Sequence, residues 1–428
     1  MPSDIREAWV WNWLPGRQSP VLCGRFRWVS VPGGKRVGYF VYTRDYLNEL
    51  GAIALDPVLL PLRDAEFSTT HLNGIFSALL DAGPDSWGRR VIERVHGAQD
   101  ELGYLIRAQG ERTGSIDFSE ARDVAPPAPI ALSGLEQLEQ AARAIRNVES
   151  GEQISPEVLQ VLALGAPSGG ARPKFSLRLD GKTWIAKFAS RHDPEHLPAV
   201  PLQESSALHL AECCGIGVPD QRIEMVDGSP VLLVERFDRR GTARLSYASA
   251  RTVLWSEPAV QQYSYMGSYN NLARQLGRWI TTPEQDRKAL YRRIVFNAVT
   301  GNFDDHDLNH GLLFEPERKT YALSPLFDPV AVGALTAREL AMGFGEEGAK
   351  VNLGNLLSRT GDFGLDRAEA RDIVAAVADT VASHWRNGLR ALEIPEERIQ
   401  ALAPRFGFAE EVARQIGQIS RPAAPRCR

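Results

Sequence analysis

The stretch 301-GNFDDHDLNHG-311 sets three aspartates, two asparagines and two histidines within eleven positions. Few folds gather so many short polar side chains unless chemistry needs them. Two chemistries ask for such a set: a metal-binding hydrolase loop, or the catalytic loop of a phosphoryl-transfer enzyme.

Spacing separates them. Phosphoryl transfer requires a residue that orients the attacking hydroxyl, cations that neutralise the phosphates, and ligands that hold those cations. Asp304 and Asn309 stand five positions apart, the interval between base and metal-binding amide in the H-R-D-x-x-x-x-N loop. The segments HGLLF and TYALSPLFD that follow read as two short strands, the second delivering Asp328 ahead of Pro329. Asp304 is thus expected to be the base, with Asn309 and Asp328 as oxygen ligands for Mg2+. The rival reading takes His306 and His310, at i and i+4, as metal ligands. It lacks the glutamate of H-E-x-x-H and falls in a loop, so His306 is expected to be a buried organiser instead. A plain Asx-rich turn would account for the loop alone. The motifs upstream argue against it.

Between Ser168 and Lys174 the run S-G-G-A-R-P-K offers Gly169 and Gly170, whose backbone N–H groups can approach phosphate. Lys187 follows in the strand W-I-A-K-F. A lysine among apolar neighbours in a central strand is costly unless paired, and the expected partners are ATP phosphate and Glu204 on the next helix. The strand VLLVERF at 231–237 leads to a hinge, where backbone groups from Glu235 to Phe237 can bond adenine.

Organisation along the chain supports two lobes and a small extra domain. Residues 1–125 carry short alternating runs joined by a Pro-Gly-Gly turn at 32–34, and end at a Pro/Ala-rich linker. Residues 126–240 open on a helix with Leu135, Leu138, Ala142 and Ile145 on one face. Two hairpins follow, turned at Asp180-Gly181 and Asp227-Gly228. Residues 241–428 are mostly helical, with a capping-box start at Thr282-Pro-Glu-Gln285 and a core-facing helix over DIVAAVADTVASHW. The fold class expected is α+β: a protein-kinase-like two-lobed fold with a β-rich N-lobe, a helical C-lobe and a β-rich N-terminal subdomain.

Composition sets the bounds. The chain has 428 residues, too many for one simple core, and is 43% hydrophobic with a net charge of -4. No global basic field argues for direct nucleic-acid binding. Four cysteines lack C-x-x-C spacing, which argues against a zinc site. No window reaches the roughly 18 apolar residues of a membrane helix, and the N-terminus lacks a signal-peptide pattern. A cytoplasmic protein without membrane partners is expected.

In the order of its motifs, the sequence resembles the HipA-type serine/threonine kinases, toxins of bacterial toxin–antitoxin modules. The residues that carry the resemblance are G-G-A-R-P-K at 169–174, I-A-K-F at 185–188, V-E-R-F at 234–237, the loop at 301–310, L-F-D-P at 326–329 and P-D-S-W-G-R-R at 84–90. The resemblance implies ATP and Mg2+ as cofactors, Lys187 on the α/β-phosphates, Asp304 as base, and Asn309 and Asp328 as metal ligands. It implies a protein substrate, an aminoacyl-tRNA synthetase with the glutamyl enzyme favoured. It also implies a HipB-like DNA-binding antitoxin, through which alone DNA is contacted, and autophosphorylation of a Gly-rich-loop serine, here Ser168, as off-switch. Two alternatives stand beside it: a small-molecule phosphotransferase with the same Asp-x4-Asn loop, and a catalytically idle co-repressor acting with the antitoxin.

Overall fold

Strands β1 (Ile5–Asn12), β2 (Val21–Ser30), β3 (Arg36–Tyr42), β4 (Glu66–Thr69) and β5 (Ile116–Ser119) make an antiparallel sheet in the order β4-β3-β2-β1-β5. They belong to a computed structural model that describes residues 5–108, 112–127, 132–150, 172–256, 267–331 and 338–417. The sequence alternation is the cause of the sheet. Phe26, Trp28, Phe40 and Tyr42 go into the core, while Arg25, Arg27 and Tyr39 stay half-buried on the other face. The Pro-Gly-Gly turn forms as expected, because Gly33 and Gly34 take φ of 88° and 75°, open to glycine at little cost.

The second sheet contains β6 (Leu132–Ser133), β7 (Lys174–Leu179), β8 (Lys182–Phe188), β9 (Gln221–Val226) and β10 (Ser229–Glu235), in the order β6-β7-β8-β10-β9. Both Asp-Gly turns are present. Asp180 and Asp227 take φ of 54° and 48°, and their glycines 76° and 74°, the double left-handed geometry of a two-residue hairpin. β11 (Arg239–Arg240) and β12 (Ala243–Arg244) form a ribbon, while β13 (Tyr247–Ser249), β14 (Gly311–Glu315) and β15 (Thr320–Leu323) form a three-stranded sheet.

The helices follow the apolar stripes with some shifts of register. In Leu135–Ser150, Leu138, Ala141, Ala142, Ile145 and Val148 are buried, but Leu135, expected inside, is 48% exposed at the helix start. The helix Glu284–Thr300 begins one residue later than the capping-box reading placed it. Pro283 is its N-cap, its carbonyl accepting from Arg287 N–H at 2.9 Å, and no side chain caps it. Its acidic first turn, Glu284 and Asp286, complements the helix dipole instead. A reciprocal capping box occurs at Asp366 and Glu369, opening Arg367–Ala391. That helix buries Val374, Val377, Val381 and Trp385, and Trp385 stacks on Phe406 of the helix Glu396–Gly417. Among the described residues no helix is long and apolar enough to cross a membrane.

Contacts divide the chain into two units. One takes Met1–Phe188, Leu233–Gln261 and Leu312–Tyr321; the other takes Ala189–Leu232, Gln262–Gly311 and Ala322–Arg428. The boundary falls inside β10, β14 and β15.

The first unit contains a buried acid whose titration can be followed. Asp81 accepts from the Ser249 hydroxyl at 2.6 Å, the Ser249 amide at 2.8 Å and the Thr252 hydroxyl at 2.7 Å. Burial nonetheless dominates these bonds and pushes its carboxyl up to about 6. A raised carboxyl pKa favours the neutral form in the fold. Its stabilisation is therefore complete below the unfolded value near pH 4 and is lost as pH rises towards 6, a change of about 3 kcal/mol. Asp81→Asn cannot titrate. The difference in unfolding free energy between variant and wild type is expected to move by about 2 kcal/mol of that amount between pH 4 and pH 6.5 in urea titrations. A pH-independent difference would refute the assignment.

Candidate active site

The loop that opened the reading begins where its helix is forced to stop. Gly301 has φ 68°, and its N–H returns to the Asn297 carbonyl, a left-handed helix terminus. A side chain there would also fall 3.0 Å from the Arg405 carbonyl oxygen, so both conformation and space require glycine. Asn302 N–H bonds the same Asn297 carbonyl at 3.0 Å, and the chain then enters the loop.

Within the loop the adjacent aspartates separate by environment. Asp304 is exposed, and its carboxylate makes no ion pair or hydrogen bond among the described residues. Asp305 is 1% exposed, and its Oδ2 is approached by Asn297 Nδ2 at 2.6 Å, His310 Nε2 at 2.7 Å and the Tyr269 hydroxyl. Asn297 is held in turn by Asn302 Nδ2, which donates to its Oδ1 at 3.1 Å. Several donors on one buried carboxylate oxygen fix the loop without using the neighbouring acid.

This network corrects the role given to His306, which is only half-buried, its Nδ1 accepting from Leu308 N–H at 3.2 Å. The buried organiser is His310, paired with Asp305. His310 Nε2 is engaged with that carboxylate at 2.7 Å. Among the described residues no group of three or more His, Cys, Asp or Glu is arranged to hold a metal ion.

Asn309 is 8% exposed, and its Nδ2 donates to the Asp304 carbonyl at 3.5 Å. Asp328 lies in the same unit, half-buried, five residues beyond the end of β15 rather than on it. It takes φ 59°, a left-handed conformation that short polar residues adopt at sites held by their surroundings. The surroundings are visible. Ser324 N–H bonds Gly311 O at 2.8 Å, Leu326 N–H bonds Gly217 O at 2.8 Å, and Val330 N–H bonds Asp328 O at 2.9 Å. Arg293, buried in the helix before the loop, donates to the Ser324 carbonyl. Burial pulls its guanidinium down to about 10 against the opposing charges of Asp305 and Asp286, so it remains a cation at neutral pH. The amide oxygen of Asn309 and the carboxylate of Asp328 are hard donors, the kind Mg2+ takes in small number beside substrate phosphates and waters.

The remaining predicted residues lie as follows. Lys187 is half-buried in β8, between buried Ala186 and Phe188, and is paired in register with Lys174 of β7. Lys187 belongs to the first unit; Glu204, 2% exposed on the helix Val200–Cys213, belongs to the second. Glu235 ends β10 and forms an ion pair with Lys182 at 2.5 Å. Arg236 N–H is committed to Thr183 O at 2.8 Å. Ser168, Gly169 and Gly170 lie outside the described residues.

Two features of the first unit escaped the sequence reading. Lys174, at the exit of the glycine-rich run, forms a buried ion pair with Asp85 at 2.8 Å, and Asp85 also caps the helix Ser86–His96 through Gly88 N–H. The quoted motifs at 84–90 and 169–174 are therefore joined. Beyond β10, Arg236, Asp238, Arg239 and Arg244 interlock with Arg112, Gly114 and Asp117 in a buried cluster. The only signal in the sequence was a density of arginine and aspartate around 236–244.

Comparisons with known proteins give the family and the fold. "Putative kinase Y4dM" of Sinorhizobium fredii (strain NBRC 101917 / NGR234) is 30% identical over 161 residues, 35% of this chain and 37% of its own length. "Putative kinase Y4mE" of the same organism is 24% identical over 315 residues, 68% of this chain and 71% of its own. Among solved structures, the HipA chain of the Shewanella oneidensis MR-1 toxin–antitoxin complex of HipA, HipB and operator DNA matches with TM-score 0.64 at 19% identity. The match covers 95% of this chain and 99% of that one. That likeness carries the fold, which is α+β and protein-kinase-like. The model of the HipA-like C-terminal domain matches residues 166–385, just over half of the chain and a span containing every motif from the glycine-rich run to Asp328, and the chain belongs to that family.

Proposed function

We propose that the chain is an ATP-dependent serine/threonine protein kinase acting as a growth-arresting toxin. One observation carries the reading: an exposed carboxylate unclaimed by the protein, Asp304, precedes a buried amide, Asn309, by five positions in a loop fixed by a different carboxylate, Asp305. The kinase names of both S. fredii relatives support it.

In this reading residues 1–125 are the small subdomain, 126–240 the N-lobe and 241–428 the C-lobe. A substrate hydroxyl donates to Asp304, which takes the proton as the hydroxyl oxygen bonds the γ-phosphorus of ATP and the bond from that phosphorus to the β,γ-bridging oxygen breaks, releasing ADP. Lys187 offsets phosphate charge, Gly169 and Gly170 present backbone N–H groups, and the backbone at Glu235 and Phe237 bonds adenine. Mg2+, when held by Asn309 and Asp328, supplies charge neutralisation on the transferring phosphate. The substrate class is an aminoacyl-tRNA synthetase, with the glutamyl enzyme favoured, and Ser168 is the site of an inactivating autophosphorylation. The Shewanella HipA structure includes HipB and operator DNA; a HipB-like antitoxin is accordingly the proposed partner here, with DNA reached only through it.

The test uses purified chain, labelled ATP and a panel of purified synthetases. Label is expected in one synthetase and in the chain itself, with Ser168→Ala losing the latter, and EDTA is expected to abolish both. Absence of transfer to any protein would overturn the kinase reading. Transfer undiminished by EDTA would overturn the metal assignment.

A further inference from the structure

Tyr269 is fully buried, yet it carries two polar groups that reach in different directions. Its amide donates to the Gly343 carbonyl at 2.9 Å, and Gly343 N–H bonds Gly267 O at 3.0 Å, so residues 267–269 and 343 run side by side. Its hydroxyl reaches both the carboxylate and the carbonyl of Asp305, the latter at 3.0 Å. The ring stands edge-on to His310, with centroids 5.5 Å apart.

Gly343 belongs to a hairpin over 338–352. The hairpin is pinned. Val351 N–H bonds Arg338 O at 2.7 Å, Leu340 N–H bonds Ala349 O at 3.0 Å, and Phe344 N–H bonds Gly348 O at 3.0 Å. The Asn355 side chain holds the tip, accepting from Glu347 N–H at 2.9 Å and donating to Lys350 O at 2.8 Å and Gly348 O at 3.2 Å. Gly345 is required by close approach, since a Cβ there would stand 2.1 Å from Asn355 Oδ1.

The catalytic loop, by contrast, has little backbone support of its own. Asn309 N–H to His306 O, at 2.9 Å, is the one bond between main-chain groups inside 303–310 among the described residues. The peptides on either side of Asp305 are therefore oriented by side chains: Asn309 Nδ2 donates to the Asp304 carbonyl at 3.5 Å, and the Tyr269 hydroxyl reaches both the Asp305 carbonyl, which opens the next peptide, and the Asp305 carboxylate. We propose that Tyr269 is a positioning residue that couples the 338–352 hairpin to the catalytic loop and so sets the orientation of Asp304. This rests on the kinase reading above. Burial, followed by the nearby Asp305 charge, pushes the Tyr269 phenol well above its usual range, so the hydroxyl keeps its proton throughout the pH range of an assay.

The experiment measures ADP release from ATP and Mg2+ by the full chain, with casein as acceptor. Tyr269→Phe, which keeps the ring, is expected to lower kcat about ten-fold, the equivalent of one lost hydrogen bond to a charged group. KM for ATP stays within about two-fold, because uniform binding is untouched. Gly345→Ala, which forces the hairpin tip off Asn355, is expected to lower kcat at constant KM as well. In the double variant the two losses should fail to multiply, since both act through one contact chain. Wild-type kcat in Tyr269→Phe, or losses that multiply, overturns the coupling. If Tyr269→Phe does not fold, Gly345→Ala decides alone: a kcat loss at constant KM supports the proposal, and an unchanged kcat ends it. A wild-type chain that turns over no ATP fails the kinase reading instead. An active wild type with an inactive Asp304→Asn leaves that reading standing whatever Tyr269 does.

Discussion

Replacing Asp238 with alanine is expected to destabilise the first unit by about 3–5 kcal/mol, the range for removing one partner from a buried ion pair. The carboxylate is 3% exposed and accepts four bonds: Arg236 Nε at 3.0 Å and Nη2 at 2.8 Å, Arg239 Nη1 at 2.9 Å and Gly114 N–H at 2.8 Å. Burial alone would raise its pKa, but the guanidiniums of Arg236 and Arg239 outweigh burial and hold the carboxyl well below the usual carboxylate range. The cluster is already rich in cations. Arg112, at 2.7 Å, and Arg244, at 3.4 Å, share Asp117, and carbonyls of Ala82, Leu105, Arg112 and Gly114 take further N–H groups. Without Asp238 four buried guanidiniums would face one carboxylate. Asp238→Asn, which keeps an acceptor and loses the charge, should fall between alanine and wild type. Urea unfolding followed by tryptophan emission checks this, because Trp13 lies against Arg244 at 5.5 Å. A loss below about 1 kcal/mol, the worth of an exposed pair, would mean the cluster is solvated and the argument wrong.

That cluster also marks where sequence reading stops. The Asp-Gly turns at 180–181 and 227–228, the helix stop at Gly301 and the Asp304–Asn309 interval were legible, because each is a local constraint on backbone or spacing. Pairings across long separations were not. Lys174 meets Asp85 across 89 positions and Gly114 meets Asp238 across 124, and nothing in periodicity links such residues. Inside the loop the difficulty was different. Asp304 and Asp305 are chemically identical, and a loop has no period to say which points inward. What decides is Tyr269, Asn297 and His310, whose convergence exists only after packing. His306 was misassigned, and His310 given no role, for the same reason. Gly345 shows a further limit, since nothing in the sequence marks a glycine that is needed for close approach.

The division between the two aspartates yields the second large effect. Asp304→Asn is expected to lower kcat for phosphoryl transfer by about a thousand-fold, within the range for removing a positioned general base. The amide can still accept a hydrogen bond from the incoming hydroxyl, but it cannot take the proton. Stability should change by no more than about 0.5 kcal/mol, because the side chain is exposed and the fold makes no demand on it. Asp305→Ala is expected to behave differently. It strands the Tyr269 hydroxyl, the Asn297 amide and the His310 ring in the interior, each at about 1–3 kcal/mol, so activity and stability fall together. Measuring kcat and the urea midpoint on both variants separates base from scaffold. Two results would reverse the assignment: an Asp304→Asn chain that keeps more than about a tenth of wild-type kcat, against the loss expected of a base, or one that loses stability on the scale predicted for Asp305→Ala. Either would move the proton acceptor away from the one carboxylate in the loop that the fold leaves unclaimed.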